Sequence, residues 1–374
     1  MMRLKAFDSL LFLTMKLIKA FDKRENGLKY FDPEKVKNIL VVSSTAIGDT
    51  LLSIPAISAV RERYPEAKIL AHLNIRNIEL FDNNPDIDGI IPYYGGYRKF
   101  FKTIMEFCRH KFDLALIFHG NEPQATPMAY LSGARFIIKL PNTSEFRFLL
   151  SNKDEFPQWD TLNGIEKRLV TARLAGCSTD NGKMELLLQD NNEPVDRFLK
   201  ENNIDSNDIL IGFQTGASTV SRMWFADRFI ELGRRIVNEN RGIKIVLTGS
   251  LQENKYCRMI AEGIGDNALV SAGRIALKHM PSLLGKLRLL VTGDTGTMHM
   301  AIAVGTPVVA LFAVADSRTS GPLYEKERHR VIQKWKTCDP CVGKNCKYQK
   351  CMENISVDEV YSSAIELLKK ETAA

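Results

Sequence analysis

The sequence predicts an α/β protein with two Rossmann-like domains, each a parallel sheet covered by helices on both faces. From residue 36 onward, short apolar runs bounded by turn residues alternate with segments of helical periodicity. The alternation pauses near residue 190 and then starts again, so we expect a domain boundary there. The strand ends of the two sheets are expected to face each other across a central cleft, which is the default ligand site of such folds.

Length and composition agree with this class. A chain of 374 residues that is 45% apolar can bury two sizeable cores. The net charge of +7 is mild, and no dense Lys/Arg tract with interleaved aromatic residues indicates nucleic acid as a partner. No apolar run reaches the roughly eighteen residues that a membrane span needs, and no secretory leader is recognised. Seven cysteines, an odd number, favour a reducing compartment, so the predicted location is cytoplasmic.

Residues 1–27 are predicted to be an amphipathic helix ended by Gly27. Such a helix either lies on anionic lipid or packs on the second domain of the same chain, and the sequence leaves both open. Its apolar side carries Leu4, Phe7, Leu10, Leu11, Leu13, Leu17, Ile18 and Phe21, and its polar side carries Lys5, Ser9, Lys16, Lys19 and Lys23, with Phe12 among them.

The domain from 28 to 190 shows apolar strand runs separated by helical segments. The predicted strands are 37–43, 68–73, 89–93, 113–118 and 135–139, and the predicted helices are 50–63, 99–109 and 124–131. The domain from 191 to 355 repeats the pattern. Its first helix covers 194–202, and its strands are 209–214, 243–249, 268–272, 287–293 and 308–312. A terminal segment, 356–374, holds a helix at 357–370.

The segment VTGDTGTMHMAIAVGTPVVALF, 291–312, reads as a buried strand, a tight turn, a helix and a second strand. A helix that begins in such a turn points unpaired backbone N–H groups above the sheet, and this suits a phosphate. The turn gathers Asp294, Thr295, Thr297 and His299 at one strand end. The alternative is an ordinary strand-to-helix corner with a Thr cap.

A second strand–turn–helix carries Gly48 and Asp49. A carboxylate at a helix start is favoured in its charged form, and it can act as a general base toward a bound hydroxyl. The alternative is that Asp49 is only an N-cap. No Gly-Lys-Ser/Thr follows and no GxGxxG occurs, so neither a P-loop nor a dinucleotide fingerprint is present, and a nicotinamide oxidoreductase is disfavoured.

Further candidates follow strands of the second domain. Thr215 and Ser218 offer small donors, and Arg222 offers a fixed charge suited to a diphosphate. Trp224 reads as a core anchor. Glu253 could hold a ribose diol, although a Glu there is more often a solvated residue of the first helical turn.

Four cysteines with C-x2-C-x4-C-x4-C spacing form a Cys-rich loop, 338–351. Such a cluster can bind zinc or an iron–sulfur cluster. Unpaired spacing in its second half and the surrounding lysines favour a structural loop whose thiols pair on oxidation, so no metal site is predicted. The cysteines are Cys338, Cys341, Cys346 and Cys351.

Together these segments resemble the ADP-heptose:lipopolysaccharide heptosyltransferases, glycosyltransferase family 9, over nearly the whole chain after the N-terminal helix. The resemblance rests on IGDTLLSIPAISAVRERYPEAKI, DLALIFHGNEPQATPMAYLSGAR, GASTVSRMWFADRF, GDTGTMHMAIAVGTPVVALF and CDPC…C…CMENISVDEV. It implies the two-domain GT-B fold, with the acceptor on the N-terminal domain, the sugar nucleotide on the C-terminal domain, and an inverting reaction that needs no cofactor or metal.

By the same resemblance, Asp49 is the expected general base. The expected acceptor-binding residues are Gly48, His119 and Asn121. The expected nucleotide-sugar-binding residues are Thr215, Ser218, Arg222, Glu253, Asp294, Thr295, Gly296, Thr297 and His299. The chain departs from the family pattern at 313–315, where Ala-Val-Ala replaces Gly-Pro-Thr, and at Phe225, where Pro is usual.

The expected function is therefore transfer of a heptose or related sugar from an ADP-sugar to a lipopolysaccharide core or similar lipid-linked acceptor. The protein is expected on the inner face of the cell membrane, held there by residues 1–27, with no nucleic-acid partner. The alternatives are transfer of another nucleotide sugar in surface polysaccharide synthesis, and a membrane-associated nucleotide-binding protein without transferase activity.

Overall fold

The computed structural model describes residues 2–140, 145–155, 158, 161–188, 192–205 and 207–373, with side chains from residue 6 to residue 370. The chain divides into two compact units, Met1–Gly182 and Lys183–Ala374. The boundary predicted at residue 190 lies outside the described residues. Residues 183–188 join the second unit, because the Leu186 N–H donates a 3.0 Å hydrogen bond to the Ala303 carbonyl.

The first unit is a five-stranded parallel sheet with the strand order β3-β2-β1-β4-β5. The strands are almost continuously apolar and buried, as expected for a parallel sheet that helices cover on both faces. The strands are β1 Asn38–Ser43, β2 Lys68–Asn74, β3 Gly89–Tyr93, β4 Leu114–His119 and β5 Phe136–Lys139, and the helices are α1 Met2–Phe21, α2 Ile47–Leu51, α3 Ile54–Arg63, α4 Phe100–His110, α5 Ala125–Leu131 and α6 Gly164–Arg173.

The helix predicted over 50–63 is in fact two helices, α2 and α3. Pro55 has no N–H to donate to the carbonyl of Leu51, which interrupts a continuous helix. Asp49 consequently lies inside the first turn of α2. The sequence analysis does not predict α6. The start of this helix is capped by Asn163 and Glu166 in a reciprocal capping box.

Helix α1 ends at Phe21, six residues before the predicted stop at Gly27. Its inner side packs on the first unit, where Leu11 and Met15 are buried in the same apolar cluster as residues of α4 and α5. Phe12, which interrupts the polar side of the helical wheel, packs edge-on against the aromatic rings of Phe146 and Phe148. The inner side of the helix therefore packs on the first unit, a packing that the sequence analysis did not consider.

The second unit is a six-stranded parallel sheet with the order β11-β10-β9-β6-β7-β8. Its strands are β6 Ile209–Gln214, β7 Ile243–Thr248, β8 Ala268–Val270, β9 Leu289–Gly293, β10 Val308–Phe312 and β11 Arg330–Gln333, and its helices are α7 Glu193–Glu201, α8 Ala226–Glu239, α9 Asn254–Ile264, α10 Met280–Gly285, α11 Gly296–Ala303, α12 Ser317–Ser320, α13 Lys350–Glu353 and α14 Val357–Ala373.

Two details of the second unit differ from the sequence reading. Strand β11 was missed, because its four residues, Arg330–Gln333, show no buried apolar run. Helix α14 is part of the unit's core rather than a separate segment, since Val360, Ala364 and Leu367 are buried in the main apolar cluster. Among the described residues, no helix is both long and apolar enough to cross a membrane.

Strand order reverses at the first strand of both sheets. The switch lies between β1 and β4 in the first unit and between β6 and β9 in the second. In open parallel sheets, ligands bind beyond the carboxyl ends of the strands at this switch. Residues that follow these four strands are therefore the ones placed to contact a ligand.

Candidate active site

Four polar residues of the first unit meet beyond the carboxyl ends of β1 and β4, and we call them the Asp49 cluster. They are Thr45 from the β1–α2 turn, Asp49 in the first turn of α2, His119 at the end of β4, and Arg168 on α6. Of the predicted site residues, Asp49 and His119 are brought together here. Asp49 remains about one-third exposed, with 34% of its side chain accessible, so a ligand can reach the carboxylate.

The hydroxyl of Thr45 connects Asp49 and His119. Its hydroxyl donates to Asp49 Oδ2 at 3.2 Å and lies 2.7 Å from His119 Nδ1. His119 Nε2 is 3.6 Å from Asp49 Oδ1. Burial lowers the pKa of His119, and the nearby Asp49 carboxylate partly offsets that shift.

Arg168 contacts Asp49 from the buried side of the cluster. Its Nη2 donates to Asp49 Oδ1 at 3.3 Å, its Nε donates to Ser53 Oγ at 2.9 Å, and its Nη1 donates to the Gly164 carbonyl at 2.7 Å. Only 4% of the side chain is exposed. Burial lowers the pKa of the guanidinium, and Asp49 opposes this shift. A buried arginine that is bonded on three sides fixes the orientation of the carboxylate it contacts.

Sequence reasoning missed Arg168, although one signal was available. The N-x-x-E pattern at Asn163 to Glu166 marks a helix start, and the helix that follows places a lone Arg on its apolar side, next to Ile165 and Leu169. A cation on the buried side of a helix needs a buried partner.

The other predicted acceptor-side residues have structural partners. The Asn121 side-chain amide donates to the Ser44 carbonyl at 3.3 Å, which ties the loop after β4 to the end of β1. Gly48 is half-buried in the first turn of α2. Next to them, Lys139 forms an ion pair with Glu122 and lowers the pKa of His119 electrostatically.

The second unit gathers its own charged group, the Asp294 cluster, at the switch between β6 and β9. It consists of Asp294, Thr295 and Arg222. Arg222 Nη2 lies 3.3 Å from Asp294 Oδ2, and both side chains are largely buried. No acceptor among the described residues reaches the buried Nε of Arg222. The guanidinium therefore keeps hydrogen-bonding capacity for a ligand.

The backbone around this cluster is closely packed. At Gly293, a Cβ atom would lie 2.6 Å from the carbonyl oxygen of Arg222. Only glycine allows the 219–223 turn to approach the end of β9 this closely. The missing side chain thus brings Arg222 next to Asp294.

Helix α11 begins at Gly296, two residues after Asp294. Thr295 is its N-cap, and its Oγ1 accepts a 3.2 Å hydrogen bond from the Met298 N–H. This cap satisfies only one of the orphan N–H groups of the first turn, which leaves those of Gly296 and Thr297 for an anion. His299, also on α11, is buried. Four of the five residues predicted in the 291–312 segment, Asp294 to Thr297, therefore lie at the helix start, and His299 lies one turn further in.

The three remaining predicted nucleotide residues differ in accessibility. Thr215 is buried, with its hydroxyl 3.6 Å from the Cys257 thiol, whereas Ser218 is exposed. Glu253 accepts hydrogen bonds from the N–H and hydroxyl of Ser250 at 2.6 and 2.8 Å. Its other carboxylate oxygen, Oε1, lies only 1.6 Å from the position that a Cβ atom on residue 216 would occupy. Glu253 therefore lies directly against the loop after β6.

The Cys-rich loop braces the turn that carries Arg222. Gln349 Nε2 donates to the carbonyls of both Val220 and Met223 at 2.8 Å, and Ser221 Oγ donates to the Lys344 carbonyl at 3.1 Å. All four cysteines are free thiols. In the described part of the chain, no three His, Cys, Asp or Glu residues are arranged to hold a metal ion.

Trp224 ends this turn as the core anchor that the sequence suggested. Its indole N–H donates to the Ile355 carbonyl at 3.1 Å, and its ring packs edge-on against Phe229.

Solved structures share this two-unit fold. A glycosyltransferase family 9 protein from Veillonella parvula superposes with a TM-score of 0.76 at 21% identity, over 89% of this chain and 97% of its own. The ADP-heptose lipopolysaccharide heptosyltransferase II of Escherichia coli gives 0.72 at 22% identity, over 90% and 99%. The two parallel-sheet α/β units are thus those of the GT-B fold.

The family follows from the sequence comparison. The model of glycosyltransferase family 9 (heptosyltransferase) matches residues 157–352, more than half of the chain, and the chain belongs to this family. It is 24% identical over 322 residues to lipopolysaccharide heptosyltransferase 2 of Salmonella typhimurium, covering 78% of this chain and 86% of that protein. It is 23% identical over 342 residues to lipooligosaccharide heptosyltransferase 2 of Campylobacter jejuni, covering 88% and 98%.

Proposed function

We propose that this enzyme transfers a heptose from an ADP-sugar to a saccharide of the lipopolysaccharide core, with inversion at the anomeric carbon. The names of the similar heptosyltransferases supply the sugar and the acceptor. The observation that carries the proposal is that each unit places a different charged cluster at its ligand edge. The first offers an accessible carboxylate held by a buried arginine, and the second offers a guanidinium beside a helix N-terminus.

The first unit supplies the general base that activates the nucleophile, which is a hydroxyl of the acceptor. Asp49 accepts the proton of an acceptor hydroxyl as the new bond forms between that oxygen and the anomeric carbon. Arg168 holds the carboxylate oriented, and Thr45 and His119 offer further hydrogen-bonding groups to the acceptor sugar. Gly48 and Asn121 shape the backbone around it.

The second unit stabilises the leaving group. The bond between the anomeric carbon and the diphosphate oxygen breaks, and its electron pair leaves with ADP. Arg222 and the N–H groups of Gly296 and Thr297 neutralise the developing charge, while Asp294 positions Arg222. In this proposal the acceptor oxygen attacks the face opposite the departing diphosphate, which inverts the configuration at the anomeric carbon.

The remaining expected donor contacts complete the binding of the nucleotide sugar. Ser218 and Thr215 lie in the loop after β6, Glu253 contacts the ribose, and His299 contacts the nucleotide sugar. Fixed cations and backbone N–H groups already neutralise a diphosphate, so the proposal includes no metal and no cofactor. A lipid-linked acceptor places the reaction at the cytoplasmic face of the cell membrane.

The test is a transfer assay with purified enzyme, ADP-heptose and a heptose-deficient lipopolysaccharide acceptor. We expect ADP release coupled to a product heavier by one heptose, as seen by mass spectrometry. GDP-, UDP- and other ADP-sugars serve as the comparison panel. Exclusive use of another nucleotide sugar would overturn the choice of donor, and the absence of product with every donor would overturn the transferase mechanism.

A further inference from the structure

Helix α1 exposes an apolar stripe on the side that faces away from the first unit. Leu10, Leu13, Leu17 and Phe21 are 61%, 63%, 62% and 79% exposed. Their spacing of three to four residues puts them on one line along the helix. Contiguous apolar exposure of this kind marks a surface that binds a partner or a membrane.

The inner side of the same helix is already satisfied. Met15 is 1% exposed, Phe7 packs edge-on against Tyr97, and the Asp8 carboxylate accepts a hydrogen bond from the Tyr97 hydroxyl. The outer stripe is therefore not the side of the helix that packs on the core of this unit. It stays outside while the helix is anchored firmly to the unit that carries Asp49.

A shallow groove extends the stripe at its C-terminal end. It has a volume of about 540 Å³ and is lined by Leu17, Ile18, Phe21, Asp22, Arg24 and Tyr130. Because Arg24 is already paired with Asp22, the remaining apolar walls suit an acyl chain.

The charge around the stripe is positive. Lys16 and Lys23 are exposed. The nearby Asp22 carboxylate accepts hydrogen bonds from Tyr130, Arg24 and Lys19 of the same unit. Burial raises the pKa of this carboxyl, but the hydrogen bonds from Arg24 and Tyr130 outweigh burial and hold the pKa well below its usual range. Anionic headgroups neutralise such lysines, whereas a second copy of this chain would bring like charges together.

We propose that the outer face of α1 docks on an anionic lipid bilayer, with Leu10, Leu13, Leu17 and Phe21 inserted at the headgroup boundary and Lys16 and Lys23 on the phosphates. The inference rests on the proposed function, because it places the acceptor-binding unit at the surface that holds a lipid-linked acceptor. It assigns the membrane contact to one side of one helix rather than to residues 1–27 as a whole.

The experiment is sedimentation of the full-length protein with vesicles of phosphatidylcholine alone or mixed with phosphatidylglycerol. The test variant is Leu13→Ser/Leu17→Ser. The matched control is Leu251→Ser, an equally exposed leucine (71%) of the second unit. Wild type and control are expected to bind the anionic vesicles more tightly than the neutral ones, and added salt is expected to weaken binding.

The double variant is expected to lose at least about tenfold in vesicle affinity, since each leucine contributes apolar burial and tenfold corresponds to ~1.4 kcal/mol. All substituted side chains are exposed, so thermal midpoints should stay unchanged. The proposal is overturned if wild type ignores anionic vesicles, if the double variant binds as wild type does, or if the stripe instead drives concentration-dependent dimers in analytical ultracentrifugation.

The outcome is separable from the proposed function. Vesicle binding needs no sugar donor, and transfer to a delipidated, soluble acceptor needs no vesicle. We expect the double variant to keep wild-type transfer to the soluble acceptor and to lose transfer to vesicle-embedded acceptor. Loss of transfer to both acceptors by the double variant would contradict the assignment of the stripe to membrane docking.

Discussion

Arg168 donates a 3.3 Å hydrogen bond to Asp49 from a helix 119 residues further along the chain. The guanidinium is almost fully buried, and its other two bonded nitrogens contact Ser53 and the Gly164 carbonyl. The Asp49 carboxylate is thus held by a side chain whose own conformation is fixed by burial and by two further hydrogen bonds. Such a supporting shell is what keeps a reacting group in productive geometry.

Replacing Asp49 by Asn should abolish most of the catalysis without affecting the nucleotide. Loss of a general base typically lowers kcat by about 10²–10⁴-fold. ADP affinity, measured by calorimetry, should stay unchanged, because the proposed nucleotide contacts all lie in the second unit. Wild-type turnover in Asp49→Asn would refute the assignment of the base.

Arg168 acts through Asp49, so its variants should separate kcat from donor binding. Arg168→Met should lower kcat strongly, and Arg168→Lys should restore part of it, since an ammonium keeps the charge but not the forked geometry. The KM for the donor should not change in either variant. A purely structural role for Arg168 would instead lower kcat in proportion to the loss of thermal stability, with no rescue by Lys.

Arg222→Met should weaken ADP binding. Hydrogen bonds to charged groups contribute ~1.5–3 kcal/mol, so the expected loss is about 10- to 150-fold in affinity by calorimetry. Arg235→Met is the matched control. Arg235 pairs with Glu239 and Asp358 in the same unit, far in sequence from the strand ends. Equal ADP affinity in wild type and Arg222→Met would remove Arg222 from the donor site.

Gln349→Leu should reduce ADP affinity although Gln349 lies in the Cys-rich loop. Its amide donates to the carbonyls of Val220, two residues before Arg222, and Met223, directly after it, and without the amide the turn loses both hydrogen bonds. Gln252→Leu, at an exposed position of the same unit, serves as the control. Equal ADP affinity in the two variants would show that Arg222 needs no support from this loop.

Stability should fall as the pH is lowered below about 6.5. Burial lowers the pKa of both His72 and His329 from the usual 6.5 to about 4. The folded protein keeps these rings neutral while the unfolded chain protonates them, so their contribution is complete above pH 6.5 and is lost toward pH 4. Each contributes up to about 1.4 kcal/mol per pH unit within that window.

The measurement is a denaturant titration at several pH values from 6.5 down to 5, above the range in which most carboxylates titrate. His72→Asn, which keeps a donor for the Ile91 carbonyl, should show a shallower decline than wild type. An unchanged slope in that variant would mean that His72 does not contribute to the pH dependence.

Strong local patterns allowed much of the fold to be predicted from sequence. β3 and β6 have their predicted limits because turn residues bound their apolar runs on both sides. Strand β11 escaped notice because its residues are only partly buried. In the site, Asp49 and Asp294 were visible next to glycine turns, but Arg168 was not. Its partner lies 119 residues away, and no local pattern encodes that distance.

Gly216 and Glu253 restrict how this enzyme can be engineered. A carboxylate oxygen of Glu253 already lies within 1.6 Å of the position that a side chain on residue 216 would need first. Any larger residue there must move the Glu253 carboxylate, whose second oxygen accepts the hydrogen bonds from Ser250. A combinatorial library that seeks a new donor sugar should therefore vary residues 216 and 253 together, because the two positions share the same space.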